Sequence, residues 1–318
     1  MHNLRRFYYN NKSKSWKGVL IIAFVLGLIY LLDNRMIESH NSKNLYKEEN
    51  SEIYEDNDKQ TYISNQSAIL GSIVTESDAN KINQTISKFL QYCKNSNIQE
   101  AYNMLSNDCK ETEYNTIEKF ENKYIKNKFT KDDVFEIKSW MGNTYKVSIS
   151  KDMLSTGEIN STKKIDYITI VKEENSEKLN INSYIGKKNI NKEYIQNDIS
   201  VNVISKNTYM DYIIYNFKIK NLSDKIIKMD TLKKAGTMYI QDLNKITYNA
   251  YAHEIFENDI EIKSNQEINI SIKYACRYST NINISKIVFE NIILDYAKYK
   301  SSMNQEQFDK VCEIKVEL

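Results

Sequence analysis

Histidine, the side chain best suited to proton transfer near neutral pH, occurs three times, as His2, His40 and His253. His253 heads the densest group of potential ligands, AYAHEIFENDIEIKSN, which also holds Glu254, Glu257, Asp259 and Glu261. His253, Glu257 and Asp259 could supply mixed nitrogen and oxygen ligands, but their spacing matches no zinc pattern. Charges crowded into a strand-to-loop region read first as a solvated loop, so no metal-ligating residue is assigned. No G-x-S-x-G, H-E-x-x-H, C-x-x-C, Walker or dinucleotide glycine pattern occurs. With seven glycines and no proline, phosphate-cradling loops are not expected either. The reading is therefore of a chain that is not an enzyme, with no catalytic residue, no cofactor-binding residue and no cofactor.

Two further sets of reactive or charged groups need an account. Cys93, Cys109, Cys276 and Cys312 allow three disulfide pairings if the chain is exported. Joining Cys93 to Cys109 and Cys276 to Cys312 keeps each bridge within one domain, and the second bridge is geometrically the easier. Four buried, unbridged thiols explain the same residues equally well. Lys119, Lys123 and Lys126 fall on one helix face, with Lys128 and Lys131 beyond. That face could meet anionic headgroups, wall polymer or a partner protein. With Glu118 and Glu121 beside it, a solvent-facing side is the simpler account.

The elements that must position these groups follow from charge and periodicity. Residues 1–17 carry a net charge of +5, residues 33–78 carry −6, and residues 79–186 and 187–318 carry +1 and +2. Residues 16–32, WKGVLIIAFVLGLIYLL, form a nearly uncharged run of about 25 Å if helical, near the lower limit for crossing a bilayer. The expectation is a basic cytoplasmic tail (1–15) and a transmembrane anchor (16–32), with the N-terminus cytoplasmic and the rest extracytoplasmic. A cleaved signal peptide is the rival, but no small-residue cleavage step follows the run. Residues 33–78, with Glu48, Glu49, Glu52, Glu55, Asp56 and Asp58 close together, read as an acidic flexible linker rather than a calcium loop. The weak charge of the remainder argues against nucleic acid as a partner.

Order is expected to resume near Ser77 and Asp78, which can cap a helix carrying Ile82, Ile86, Phe89, Leu90 and Cys93 on one face. Two more amphipathic helices are expected over Ile98 to Leu105 and Ile117 to Ile125, each after an Asn-x-x-Glu step. The period then becomes two, with Tyr145, Val147 and Ile149 alternating after a turn at Gly142 and Asn143. The run 165–171 is apolar on both faces, as an inner strand would be. Beyond Ile199 only strand-like runs occur, about eight of them, enough for a sandwich.

The stretch ISKFLQYCKNSNIQEAYNMLS, with the helices-then-sheet order of residues 79–186, resembles the start of the cone-shaped fold of the nuclear-transport-factor-like superfamily. That fold serves enzymes, ligand pockets and secretion machinery alike, so the resemblance implies no particular function. The segments FKIKNLSDKIIKMD, YIQDLNKITYNA and IKSNQEINISIKY resemble immunoglobulin-like domains of uncharacterised extracytoplasmic membrane proteins of Gram-positive bacteria. The resemblance implies a cell-surface binding or adhesion module. The fold class expected is therefore α+β, three helices on a curved antiparallel sheet (79–186), then an all-β immunoglobulin-like sandwich (187–318), preceded by one transmembrane helix. The function expected is a single-pass membrane-anchored binding or scaffolding protein without catalytic activity, whose partners are the membrane (one span) and a protein or cell-wall component. One alternative is an assembly component of a conjugation or secretion apparatus. The other is an extracytoplasmic hydrolase using carboxylates in the cone-fold pocket.

Overall fold

The computed structural model describes residues 62–64, 76–151, 163–174, 176–303, 305, 308 and 311–318. The first long element is the helix Glu76–Lys94, and its Ile86, Phe89, Leu90 and Cys93 are buried, as the 3–4 spacing of apolar residues dictates. Two short helices follow, Ile98–Asn103 and Asn107–Thr112. Ser106 caps the second, its hydroxyl accepting from the Cys109 N–H at 2.9 Å. These helices cover an antiparallel meander of four strands, β2 (Asp133–Met141), β3 (Thr144–Lys151), β4 (Lys164–Glu173) and β5 (Ser176–Asn180). Gly142, with φ +56°, makes the tight β2–β3 turn that a side chain would strain. Inside the stretch read as a linker, Tyr62–Ser64 (β1) adds to the β2 edge in parallel register.

The remaining strands form two facing sheets. One runs β13 (Glu267–Tyr274), β8 (Ile213–Asn221), β7 (Ile199–Tyr209), β6 (Tyr184–Gln196). The other is built around β14 (Ile284–Ile293), with β10 (Met238–Asp242), β11 (Thr247–Asn249), β9 (Ile227–Lys228), β12 (Glu261–Ile262) and β15 (Val311–Glu317). Alternation puts Tyr215, Phe217 and Ile219 inward against Ile240, Ile287, Phe289 and Ile314. Burying one such side chain fully is worth about 1.5–3 kcal/mol. The β6–β7 hairpin serves both cores: Tyr184 and Tyr209 pack under the helices, whereas Ile199 and Val201 pack inside the sandwich. The boundary expected between 186 and 187 therefore falls inside β6. All described residues belong to one compact unit, Ile53–Leu318.

The expected fold class is corrected. The described residues are mostly antiparallel sheet, 47% strand against 24% helix, and not three helices on a sheet with a sandwich appended. Past Lys94 the helices are short, and the third expected one is a continuous helical run over 117–128 whose middle, Glu121–Ile125, is π-helical between Ile117–Phe120 and Lys126–Lys128. Apolar 3–4 spacing reports a helical face, not how many turns the tertiary contacts sustain. The cone-fold description is withdrawn with it. Among the described residues no helix is long and apolar enough to cross a membrane, because the longest, Glu76–Lys94, is studded with polar side chains. The transmembrane, single-span membrane partnership and cytoplasmic N-terminus expectations find no support there, and residues 16–32 lie outside the described residues.

One core group is out of keeping with its surroundings. The Tyr274 hydroxyl is fully buried and has no hydrogen-bond partner among the described residues. An orphaned buried hydroxyl costs about 1–3 kcal/mol, so Tyr274→Phe is expected to stabilise the fold by about 1 kcal/mol. Urea unfolding measures this, and a destabilised variant would mean that the hydroxyl does have a partner.

Candidate functional site

Two constellations could carry function, one buried under the helices and one on loops. The first grows from the broken third helix. Thr116 caps it, accepting from the Lys119 N–H at 3.1 Å. The π turn then widens the backbone so that Phe120, Tyr124 and Ile125 all face inward. Phe120 and Tyr124 stack at 5.6 Å between centroids. Tyr124 donates its hydroxyl proton to Asp166 Oδ2 at 2.7 Å, and Lys128 Nζ lies 3.0 Å from the same oxygen. The Tyr167 N–H donates to Asp166 Oδ1 at 2.8 Å. Asp166 is 1% exposed, and the Lys128 ammonium also lies 4.8 Å from the centre of the Tyr124 ring.

This arrangement bears on the hydrolase alternative. Paired carboxylates divide acid and base roles by pushing their pKa values apart. Asp166 instead faces a cation and two hydrogen-bond donors, which hold both of its oxygens. Burial, with Asp166 adding to it, pushes the neighbouring Cys93 thiol well up, so it stays a protonated, inert thiol. Burial likewise pushes the Tyr124 hydroxyl far up, with Asp166 adding again. The cluster is a charge-satisfied structural centre.

The second constellation lies where the sandwich loops meet the helical half. Tyr212, in the β7–β8 turn, stacks on Tyr209 at 4.5 Å, and Tyr209 donates to Glu113 Oε1 at 2.6 Å. Lys273 Nζ sits 4.3 Å from the centre of the Tyr212 ring and 4.8 Å from that of Tyr251. Glu254 Oε1 accepts from the same ammonium at 2.9 Å. One cation is thus held by two rings and a carboxylate drawn from separate segments, which ties both rings to one point. His253 stands edge-on to Tyr251 at 5.7 Å, and Phe256, three positions along the chain, is 74% exposed.

The residues singled out from sequence are dispersed. His253 is exposed on the short turn Ala252–Glu254, Glu257 pairs with Lys228 at 3.0 Å, and Glu261 lies 3.8 Å from Lys300. No group of three or more potential ligands gathers among the described residues. His2 and His40 lie outside them. All four cysteines are free, and Cys93, Cys109 and Cys276 are buried. Of the lysine face, Lys126 pairs with Glu121 at 2.9 Å, whereas Lys128 turns inward to Asp166. Sequence reasoning missed Asp166, although a lone acid inside the apolar run 165–171 was a signal. It also missed Lys273, which looks like an ordinary outward member of an alternating strand.

No protein-family model matches the chain, and no characterised protein matches it in sequence. Among solved structures, a conserved hypothetical protein from Bacillus anthracis is similar at 13% identity and TM-score 0.23, over 28% of this chain and 78% of that one. The yjhA protein from Bacillus subtilis is similar at 10% identity and TM-score 0.28, over 41% of this chain and 98% of that one. Likenesses this faint assign neither a family nor a function.

Proposed function

We propose that this chain is a non-catalytic binding module whose contact surface is the Lys273 platform, and that its partner is a protein. The observation carrying this reading is the ammonium of Lys273 clamped between Tyr212 and Tyr251 with Glu254 as its counter-charge. Rigid tyrosine rings lose little entropy on binding and offer apolar faces with polar tips. They sit on loops at one end of a stiff sandwich, where variable contact surfaces are usually built. Exposed His253, and exposed Phe256 two positions past Glu254, would extend the surface, and an exposed aromatic near a pre-ordered platform is a typical anchor. The saturated hydrogen bonding of Asp166 supports the non-catalytic half of the proposal.

Binding by wild type, Phe256→Ala and Tyr251→Ala tests it. Truncating an aromatic anchor costs about 2 kcal/mol or more, so a partner captured by wild type should be held roughly 30-fold more weakly by each variant. Equal capture by all three would remove the platform from the reading. A turnover activity abolished by Asp166→Asn in a folded protein would overturn the reading altogether.

A further inference from the structure

The inner face of the sandwich carries a lysine, Lys206, that alternation alone would not place there. From Ile199 the inward residues of β7 are Ile199, Val201 and Val203, so Ser205 and Asn207 should follow. A bulge between Val203 and Ser205 reverses the order. Beyond it Ser205 pairs with Asn216 on the outer face, and Lys206 pairs with Tyr215, whose ring is buried in the core. A second irregularity, between Asn189 and Lys192 on β6, sets Lys188 directly opposite Lys206. Directly opposed residues share a face, with Cβ atoms about 4.5–5.5 Å apart, and like charges so placed repel.

Among the described residues nothing offsets that repulsion. Neither ammonium forms an ion pair or hydrogen bond with another described residue. The floor beneath them is neutral: burial lifts the Cys276 thiol to about 11 and pushes the Tyr215 hydroxyl up as well. Asp242, the carboxylate that bears on Cys276, is already engaged by the Ile246 N–H at 2.9 Å and the Tyr248 hydroxyl at 3.4 Å. Burial, with Lys188 adding to it, lowers the pKa of Lys206. The β7 bulge therefore turns the Lys206 ammonium onto the face that Lys188 already shares by alternation from Tyr194 and Lys192, at a cost in stability that an anion would reverse.

We propose that Lys188 and Lys206 form a binding site for a doubly charged oxyanion of the phosphate or phosphomonoester class, at the inner-face margin of the sandwich. Lysine meets such groups as a point charge, and two ammonium groups match two negative charges. The site is separate from the Lys273 platform, since Lys273 shares the outward row with Ile214 and Asn207.

Calorimetric titration of the full chain at constant ionic strength tests this, with inorganic phosphate in one arm and glycerol phosphate in the other. Saturable heat in either arm, weakened about tenfold or more by Lys206→Met, supports the site, and the tighter arm names the source. The unliganded Lys206→Met protein should melt no lower than wild type, because repulsion and a desolvated charge are both removed. Lys188→Met, at an exposed position, supplies the same comparison if Lys206→Met fails to fold. Absence of saturable heat in wild type, or heat unchanged in both variants, overturns the proposal.

Discussion

Raising the pH above 10 is expected to unfold this protein in one cooperative step. Seven described tyrosines are at most 6% exposed, and six of them, Tyr114, Tyr124, Tyr184, Tyr209, Tyr215 and Tyr274, carry the larger effect. Burial is the leading cause that raises the pKa of each, and nearby Glu113 adds to it at Tyr209. Their folded-state pKa values lie above the unfolded value of about 10. Their contribution is therefore complete below pH 10 and is lost as pH rises towards the folded values, because the unfolded chain sheds protons that the folded one keeps. Each such group removes about 1.4 kcal/mol per pH unit, so six remove roughly 8 kcal/mol by pH 11. A typical domain has only about 5–15 kcal/mol in total. Tyrosinate absorbance from these residues should appear together with the loss of circular dichroism. A gradual titration with the dichroism intact would refute the expectation, and Tyr274→Phe should move the transition to higher pH.

The second large effect is at Asp166. Asp166→Ala strands the Tyr124 hydroxyl, which is completely buried, and the Lys128 ammonium, whose side chain is 22% exposed. Removing one partner of a buried pair costs about 3–5 kcal/mol. Lys128 can recover part of its hydration, so about 3 kcal/mol is expected. Asp166→Asn keeps an acceptor for Tyr124 and loses only the ion pair, at about 1–2 kcal/mol. Chemical denaturation of the two variants checks both the size and the order. An Ala variant as stable as wild type would mean that the cluster does not hold the third helix to β4.

Much of the sandwich was legible because strand alternation is a local property of backbone geometry. The inward sets of β8 and β13 can be picked out from Ile213, Tyr215, Phe217 and Ile219 and from Ile268, Ile270, Ile272 and Tyr274. The buried face of Glu76–Lys94 is visible for the same reason. The capping residue before Ile117 was misplaced by one position, since Thr116 and not Asn115 accepts the hydrogen bond. Either side chain can cap, and only the approach of the chain selects between them.

The candidate sites were far less legible, because each depends on contacts between distant segments. Asp166 meets Tyr124 across 42 positions of sequence, and the Lys273 platform joins three separate stretches. The acidic group around His253 scattered because neighbours in sequence leave a turn in different directions.

What the amino-acid order determined unaided was which side chains must escape water and the repeat, two or 3.6, by which they do so. Tertiary structure alone decided where that repeat is interrupted, at the π turn carrying Tyr124 and the bulge that turns Lys206 inward. An interruption costs local backbone hydrogen bonding and is recovered only through packing and charge from elements far along the chain, which no local window contains.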